Sequence, residues 1–219
     1  MNFEVIITYL PLYNEALLLT IKIGWLGILA AFIFGLLGAV IQYFRIPVLK
    51  RITAVYIEVF RNTPLLVQLF FIYFALPKIG IKISAEATGI LGLGLIGGAY
   101  MIETMRSGLE SIDKIQSESA LSLGMTKSQV FFYIILPQAI SVSVPGLVAN
   151  VIFLLKETSV FSTISLMDLM FTAKDLIGMY AKTIECLSML VVYYLIMLLP
   201  VSILGTIVER RARYAQFGD

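Results

Sequence analysis

Five stretches of mostly apolar residues constrain this chain more than any other feature of its sequence. A helix that crosses the hydrocarbon core of a bilayer needs about 20 such residues. We predict membrane-spanning helices over Leu17–Ile41, Val55–Leu76, Ala87–Leu109, Val130–Leu155 and Ile184–Val208. The chain is 59% hydrophobic and only 14% charged, with a mean hydropathy of +0.95. A soluble domain of this length needs more charge to cover its surface, so the expected fold is an all-α integral membrane protein.

Two of these spans contain residues that disturb a straight membrane helix. The second begins with Glu58 and Arg61, so its first turns are expected at the membrane interface. The fourth contains Pro137 and Pro145. Proline removes a backbone donor and kinks a helix, so we expect the fourth span to be bent or broken.

The composition argues against most catalytic chemistry. The chain has no histidine, which removes most hydrolytic triads, most zinc sites and the usual proton shuttle. Its single cysteine, Cys186, can form no intrachain disulfide. An intramembrane enzyme needs a nucleophile with a base, or a metal cluster, and a chain with no histidine and one cysteine offers almost none. A Ser–Lys pair is formally possible, but no predicted span contains both a serine and a lysine. The net charge of +2 gives no reason to expect nucleic-acid binding.

The distribution of basic residues predicts the orientation of the chain. Loops on the cytoplasmic side of a membrane carry an excess of Lys and Arg. Nine basic residues fall on the side of the first loop, the third loop and the tail, against five on the opposite side. The nine are Arg45, Lys50, Arg51, Arg106, Lys114, Lys127, Arg210, Arg211 and Arg213. We therefore predict an N-terminus outside and a C-terminus in the cytoplasm, which agrees with an odd number of spans.

The loop between the third and fourth spans has the clearest local signals. Ser117 is a suitable N-cap for a short helix, and Glu118 favours its first turn. Gly124 suits the left-handed position at which such a helix ends. Thr126 and Gln129 have the spacing of a capping box for the next helix. The loop therefore predicts a short helix, a glycine turn and a second helix.

The short helix is rich in small residues that would let a partner approach closely. Ser119, Ala120 and Ser122 lie beside Leu121 and Leu123. Such a helix can lie in a groove on another protein. From the residues alone, an ordinary interhelical loop that happens to be well capped is an equal alternative.

The same loop resembles a signature of one transporter family. Glu118-Ser119-Ala120, then Gly124, then Ile134-x-Leu136-Pro137 has the spacing of the cytoplasmic signature of ABC-importer permeases, with Ser119 in place of an alanine. In that family the segment forms a coupling helix that rests in a cleft of the ATP-hydrolysing subunit. The resemblance implies a type I ABC importer permease fold, with ATPase coupling through Glu118, Ser119, Ala120, Leu123 and Gly124.

Three further stretches resemble the polar amino acid branch of this family, which includes arginine, histidine and glutamine importers. They are Arg61-Asn62-Thr63-Pro64-Leu65-Leu66-Val67-Gln68, then Lys156-Glu157-Thr158-Ser159, and the weaker Tyr100-x-x-Glu103-x-x-Arg106-x-Gly108. Together with the five spans, the resemblance extends over nearly the whole chain. Residues 1–219 are expected to form a single transmembrane permease domain, with the coupling loop at about 110–129.

Two glycine patterns imitate nucleotide-binding motifs. Gly92-x-Gly94-x-x-Gly97 satisfies the dinucleotide fingerprint in letters, but it lies inside an apolar span instead of between a strand and a helix. Close helix packing is the expected role, as in Gly94-x-x-x-Gly98. Gly124-Met-Thr-Lys127-Ser128 lacks the earlier glycine of a phosphate loop. ATP hydrolysis coupled to this chain must therefore occur on another one.

Four polar residues are candidates for substrate binding: Glu103, Asn150, Ser159 and Asp168. An ionised group within a span usually faces protein or water and often marks a pathway. Glu103 is a carboxylate within the third span, although it can pair with Arg106 on the same helix face. Asn150 follows the Pro145 position and could instead make an interhelical hydrogen bond.

The alternatives for the remaining two candidates are structural. Ser159 could belong to a helix cap, and Asp168 could be a solvated charge in an outer re-entrant stretch, Ser162–Met179. If Glu103 and Asp168 line one cavity, that cavity is acidic and favours cationic amino acids such as arginine, lysine or histidine.

These observations predict the membrane-spanning subunit of an ATP-driven importer of polar amino acids that works by alternating access. The expected partners are a dimer of ATP-binding-cassette ATPase subunits, a second permease chain, an extracytoplasmic amino-acid-binding protein, the amino acid and membrane lipid. No cofactor or metal is expected on this chain, since ATP and Mg would bind to the ATPase. The main alternative is a self-contained secondary transporter or channel, which the loop signature and the lack of an internal repeat disfavour.

Overall fold

The computed structural model describes residues 3–217, and the side chains of residues 4–212. Within residues 3–217 the chain forms nine α-helices with short π- and 3-10-helical segments and no strand. The α-helices are α1 (Phe3–Tyr43), α2 (Leu49–Arg61), α3 (Leu65–Phe70), α4 (Ala85–Glu110), α5 (Lys114–Ser122), α6 (Lys127–Gln129), α7 (Leu136–Glu157), α8 (Leu169–Tyr180) and α9 (Thr183–Phe217). The side chain of Arg213, one of the residues that predict the orientation, lies outside the described side chains.

Four continuous helical segments among the described residues are long and apolar enough to cross a membrane. They are Glu4–Tyr43, Ala85–Glu110, Lys127–Ile164 and Thr183–Ala212. The remaining predicted span is not one helix, because Leu49–Arg61 and Leu65–Ile79 meet at a bend of 104°. The prediction of a continuous helix over Val55–Leu76 was therefore wrong, and a fifth span exists only if the bent pair is counted as one.

The fourth predicted span is continuous through both prolines. Val130–Ile135 is π-helical, and α7 follows it directly, with Pro137 in its first turn and Pro145 in its interior. The fourth span is therefore not broken, whereas the bend that was the other expectation stays a prediction. In a π-helix each backbone hydrogen bond spans five residues, so the helix is locally wider than an α-helix. The π-helical stretch leaves Pro137 at a position where no backbone N–H is needed.

Helix α1 begins much earlier than predicted. It contains 41 residues, and at 1.5 Å per residue this is about 60 Å, twice the thickness of a bilayer core. Its first half is held by α9: the Tyr13 hydroxyl donates to the Cys186 carbonyl at 2.8 Å, and the Tyr193 hydroxyl donates to Asn14 Oδ1 at 2.6 Å. The polar side chains of Tyr13 and Asn14, which precede the predicted start, thus have tertiary hydrogen bonds.

Glycines bring α1 and α4 into close contact. A Cβ atom added at Gly97 would lie 2.7 Å from the Ala31 Cβ and 2.6 Å from Leu154 Cδ1. Gly27 and Gly35 of α1 make the reciprocal approach to α4. The prediction that these glycines pack helices is confirmed, and Gly92-x-Gly94-x-x-Gly97 lies within α4 with no strand before it.

Candidate functional site

The bend between α2 and α3 is built by the side chains of the Arg61–Gln68 stretch. The last turn of a helix leaves its carbonyls without intrahelical partners. Here Asn62 Nδ2 donates to the Glu58 carbonyl at 2.7 Å, and Thr63 Oγ1 donates to the Val59 carbonyl at 2.6 Å. Pro64 then starts the new direction as the N-cap residue of α3. The stretch therefore satisfies the end of α2 while the chain turns.

Gln68 closes the bend from the other side. Its side-chain amide nitrogen donates to the carbonyls of Phe60 and Thr63 at 3.1 and 3.0 Å. Gln68 is 7% exposed, so these bonds are shielded from water. The bend is consequently a defined structure, and it places Arg61 at the exposed end of α2.

Arg61 faces a chain of ion pairs on α4. Its Nη1 lies 3.2 Å from Glu103 Oε2, while Arg106 holds the same carboxylate through Nε and Nη2 at 3.2 and 3.1 Å. Arg106 also contacts Glu110 at 2.6 Å. The guanidinium of Arg61 lies 5.3 Å from the centre of the Tyr100 ring, within cation–π range. The predicted Glu103–Arg106 pair is confirmed, and Arg61 is a second partner of Glu103 that was not predicted.

Three neighbouring cavities lie along this cluster and share lining residues. One of about 310 Å³ is lined by Glu58, Glu103 and Arg106, with Tyr43 at the end of α1. A second of about 200 Å³ shares Glu58 with the first and adds Arg61. The third, of about 390 Å³, shares Arg61 with the second. We call the three together the polar groove.

The polar groove is charged but balanced. Its lining includes four cationic side chains, Arg45, Lys50, Arg61 and Arg106, and four carboxylates, Glu58, Glu103, Glu110 and Glu157. A balanced lining suits a ligand that carries both a positive and a negative group. An acidic cavity was expected only if Glu103 and Asp168 line it together, and Asp168 is not among the residues that line the groove.

The other predicted substrate residues lie outside the lining of the polar groove. Asn150 Nδ2 donates to Thr104 Oγ1 on α4 at 2.9 Å, the interhelical bond that was its alternative role. Ser159 is half-buried in the 3-10 segment Thr158–Ile164, next to the groove residue Val160. A role for Asn150 or Ser159 in binding therefore stays a prediction.

Asp168 is not a solvated charge, and that expectation was wrong. Its side chain is 0% exposed and caps α8, where Oδ1 accepts from the Phe171 N–H at 2.9 Å. Its Oδ2 has no hydrogen-bond partner in the described structure. Along the chain, Asp168 lies outside the candidate spans, between Lys127–Ile164 and Thr183–Ala212. Burial raises the pKa of its carboxyl from 3.8 to about 7, although the charge of Lys174 and the cap hydrogen bonds lower it.

Because Asp168 is buried, we expect the stability of the folded protein to fall as pH rises. The folded state holds the proton up to about pH 7, whereas the unfolded chain releases it near 3.8. Between these two pH values the folded state binds more protons than the unfolded chain. The stability that Asp168 contributes is therefore complete below this range and is lost as pH rises through it. The slope for one group is at most about 1.4 kcal/mol per pH unit. Thermal unfolding of detergent-solubilised protein from pH 5 to 8 checks this.

Asp168→Asn is the matched variant. Asparagine keeps an oxygen for the α8 cap but cannot ionise. We expect it to flatten the decline in melting temperature between pH 5 and 7. An unchanged pH profile in this variant would show that another group controls the decline.

The segment between α4 and α7 has the predicted order of helix, glycine turn and helix. Gly124 adopts the left-handed conformation with φ of 86°, and Thr126 with Gln129 forms a complete capping box. The predicted N-cap at Ser117 was wrong, because α5 begins at Lys114 and is capped by Asp113, whose side chain accepts from the Ile115 N–H at 3.0 Å. An Asp with a suitable extended backbone lies earlier in the chain, and it competes successfully with Ser117.

Helix α5 has one face against its own chain and one face in solvent. Ala120 is 5% exposed and packs with Val130 and Ile135 of the π-helical segment. Leu123 is 85% exposed and Leu121 is 43% exposed. The small side chain of Ala120 thus allows α5 to approach its own π-helical segment, while the leucines remain available on the outer surface.

Aromatic contacts connect this segment to the polar groove. The Phe131 ring in the π-helical segment lies 5.4 Å from that of Tyr43 and 5.2 Å from that of Phe44. Tyr43 in turn lines the first cavity of the groove. The rings of Phe131 and Tyr43 therefore form a packed contact between the π-helical segment and the groove.

The chain is similar to known proteins in family, sequence and structure. The family described as "Binding-protein-dependent transport system inner membrane component" matches residues 25–214. The probable glutamine ABC transporter permease protein GlnP of Bacillus subtilis (strain 168) is 41% identical over 167 residues, which cover 76% of this chain and 77% of that protein. The probable amino-acid permease protein YxeN of the same organism is 37% identical over 212 residues and 95% of each chain.

Two solved structures share the architecture. A chain from the "Crystal structure of an amino acid ABC transporter with histidines" superposes with a TM-score of 0.90 at 34% identity, covering 96% of this chain and 99% of that one. A chain of the MetNI methionine ABC transporter in an inward-facing conformation has a TM-score of 0.78 at 18% identity, covering 94% and 98%. The second likeness concerns the fold alone.

Proposed function

This chain belongs to the family of binding-protein-dependent transport system inner membrane components, and on that premise we propose that it carries polar amino acids through the membrane in an ATP-driven importer. It is the permease component of an amino-acid ABC importer, located in the cell membrane, and its relatives are transport subunits instead of enzymes. The observation that carries the substrate class is the polar groove, whose balanced charges suit amino acids.

We propose the following roles for this chain and its partners. Two permease chains, identical or related, face each other with their N-termini outside and C-termini in the cytoplasm. A pair of ATPase subunits binds the α5 segments and holds ATP and Mg. An extracytoplasmic binding protein delivers the amino acid. Closure of the ATPase pair moves α5, and the packed contact between Phe131 and Tyr43 changes access to the polar groove.

A narrower proposal concerns cationic amino acids. Its basis was an acidic cavity containing Glu103 and Asp168, and the buried position of Asp168 leaves Glu103 as its main support. The glutamine named for one relative favours a neutral polar substrate equally well. We therefore propose polar amino acids as the class and test the cationic preference separately.

ATP-dependent uptake into vesicles tests the proposal. The permease is co-purified with a candidate ATPase, reconstituted with a binding protein, and assayed with labelled arginine, lysine, histidine and glutamine. Uptake of at least one of them only with ATP is expected. Binding of the ATPase without uptake of any amino acid would overturn the substrate class, and uptake without any ATPase would favour the secondary transporter.

Uptake by the Glu103→Gln variant distinguishes a preference for cationic amino acids from a preference for neutral polar ones. If Glu103 binds a cationic side chain, arginine uptake falls and glutamine uptake does not. Equal losses for both amino acids indicate that Glu103 binds a group common to them. Unchanged arginine uptake would contradict the cationic preference.

A further inference from the structure

Arg61 lies where the second and third cavities of the polar groove meet. It lines both, together with Asn62 and Tyr100. The side-chain bonds of Asn62, Thr63 and Gln68 define the backbone of the bend at its position. A residue held in this way presents its side chain to the groove at a set place.

The guanidinium of Arg61 has donors to spare. A guanidinium offers five N–H groups in a planar fork. The Tyr100 ring covers one face, at 5.3 Å, and Glu103 approaches one nitrogen at 3.2 Å. The side chain is 38% exposed, and no second ion pair to it occurs in the described part of the chain. The remaining edge can bind a carboxylate through two parallel hydrogen bonds.

Glu103 has a second cation that keeps it in place. Arg106 binds its two carboxylate oxygens, Oε1 at 3.2 Å and Oε2 at 3.1 Å, from one turn along the same helix. If Arg61 moves away from Glu103, Arg106 still holds the carboxylate in position. Glu103 is 29% exposed in the first cavity of the groove, so a cationic group can reach it.

We propose that the Arg61–Glu103 pair binds the head group that all α-amino acids share, with Arg61 on the α-carboxylate and Glu103 on the α-ammonium. The proposal rests on the function proposed above. An amino acid carries both groups on one carbon, so it can insert into the ion pair and restore a partner to each charge. No net charge is added to the groove, which avoids the cost of placing an uncompensated ion there.

This assignment has a consequence for specificity. Recognition of the head group accepts many side chains and rejects compounds that lack either charge. Selection among side chains must then come from other groove residues or from the binding protein. Glu103→Gln is accordingly expected to weaken arginine and glutamine to a similar extent.

Equilibrium binding to the permease–ATPase complex without binding protein tests the assignment. The probes are L-arginine and L-glutamine, each compared with its α-carboxamide, in which the carboxylate is neutral. The wild type is expected to prefer the free amino acid by about 10- to 100-fold, the usual effect of a charge-assisted hydrogen bond. Arg61→Gln should remove this preference, and Arg61→Lys should restore part of it.

The matched control breaks a different interhelical ion pair. Lys22 of α1 pairs with Glu86 of α4 at 2.9 Å, outside the lining of the polar groove, so Lys22→Gln should keep the wild-type preference. The assignment is overturned if Arg61→Gln keeps the preference, or if it weakens amino acid and carboxamide equally. A wild-type complex that neither binds nor takes up any amino acid would overturn the proposed function itself.

Discussion

Leu123→Asp is expected to abolish ATP-driven uptake while the permease itself remains folded. Leu123 is 85% exposed at the end of α5, so the fold does not depend on its packing. If α5 rests in a cleft of the ATPase, burial of this leucine contributes about 1.5–3 kcal/mol to the complex. An aspartate loses that term and places an unpaired charge in the interface, at a cost of several kcal/mol.

Co-purification of the ATPase and ATP-dependent uptake are the measurements for this prediction. Both should fall to background in Leu123→Asp, while elution of the permease from a sizing column stays unchanged. Leu123→Met is the control, because it keeps an apolar side chain of similar volume and should retain most activity. Normal uptake by the aspartate variant would show that the ATPase does not bury this end of α5.

Gly97→Ala is expected to lower the stability of the membrane domain by about 1–3 kcal/mol, the usual cost of overpacking. The added Cβ would lie 2.7 Å from the Cβ of Ala31, which cannot move without its helix, and 2.6 Å from Leu154. Small residues allow membrane helices to approach closely, and much of their association comes from that contact. Helices α1 and α4 must therefore separate to accept the methyl group.

Gly178→Ala provides a matched comparison within the same chain. Gly178 lies in α8, and a Cβ there would meet nothing within 4 Å. Alanine is favoured over glycine in a helix by about 1 kcal/mol, so this variant should be neutral or more stable. Thermal unfolding in one detergent compares the two. Equal melting temperatures would mean that the α1–α4 contact tolerates a wider spacing than the structure has.

The local features of the fold could be predicted because their causes are close together in the chain. A capping box needs only Thr126 and Gln129, and a left-handed helix end needs only Gly124. The glycines of α4 were interpreted correctly for the same reason, since an apolar run with small residues already indicates helix packing. The start of α5 was predicted wrongly because two residues, Asp113 and Ser117, both suit an N-cap, and their relative merit depends on the backbone around them.

The candidate site was only half predictable. The pairing of Glu103 with Arg106 follows from their spacing on one helix, and the structure confirms it. The contact with Arg61 requires the bend between α2 and α3, which the apolar pattern of that span conceals. Asp168 was misjudged because its burial depends on the packing of α1, α8 and α9, which no local pattern records.

The sequence by itself determined that this chain is an all-α membrane protein with a capped helical loop and with glycines that pack its helices. Those properties depend on apolar length, capping chemistry and glycine content, which act within one or two helical turns. Only the tertiary structure decided that the polar groove is charge-balanced and that Arg61 and Glu103 form a pair. Such a pair joins residues far apart in the chain, and it exists because side chains at a helix bend and glycines between helices bring them together.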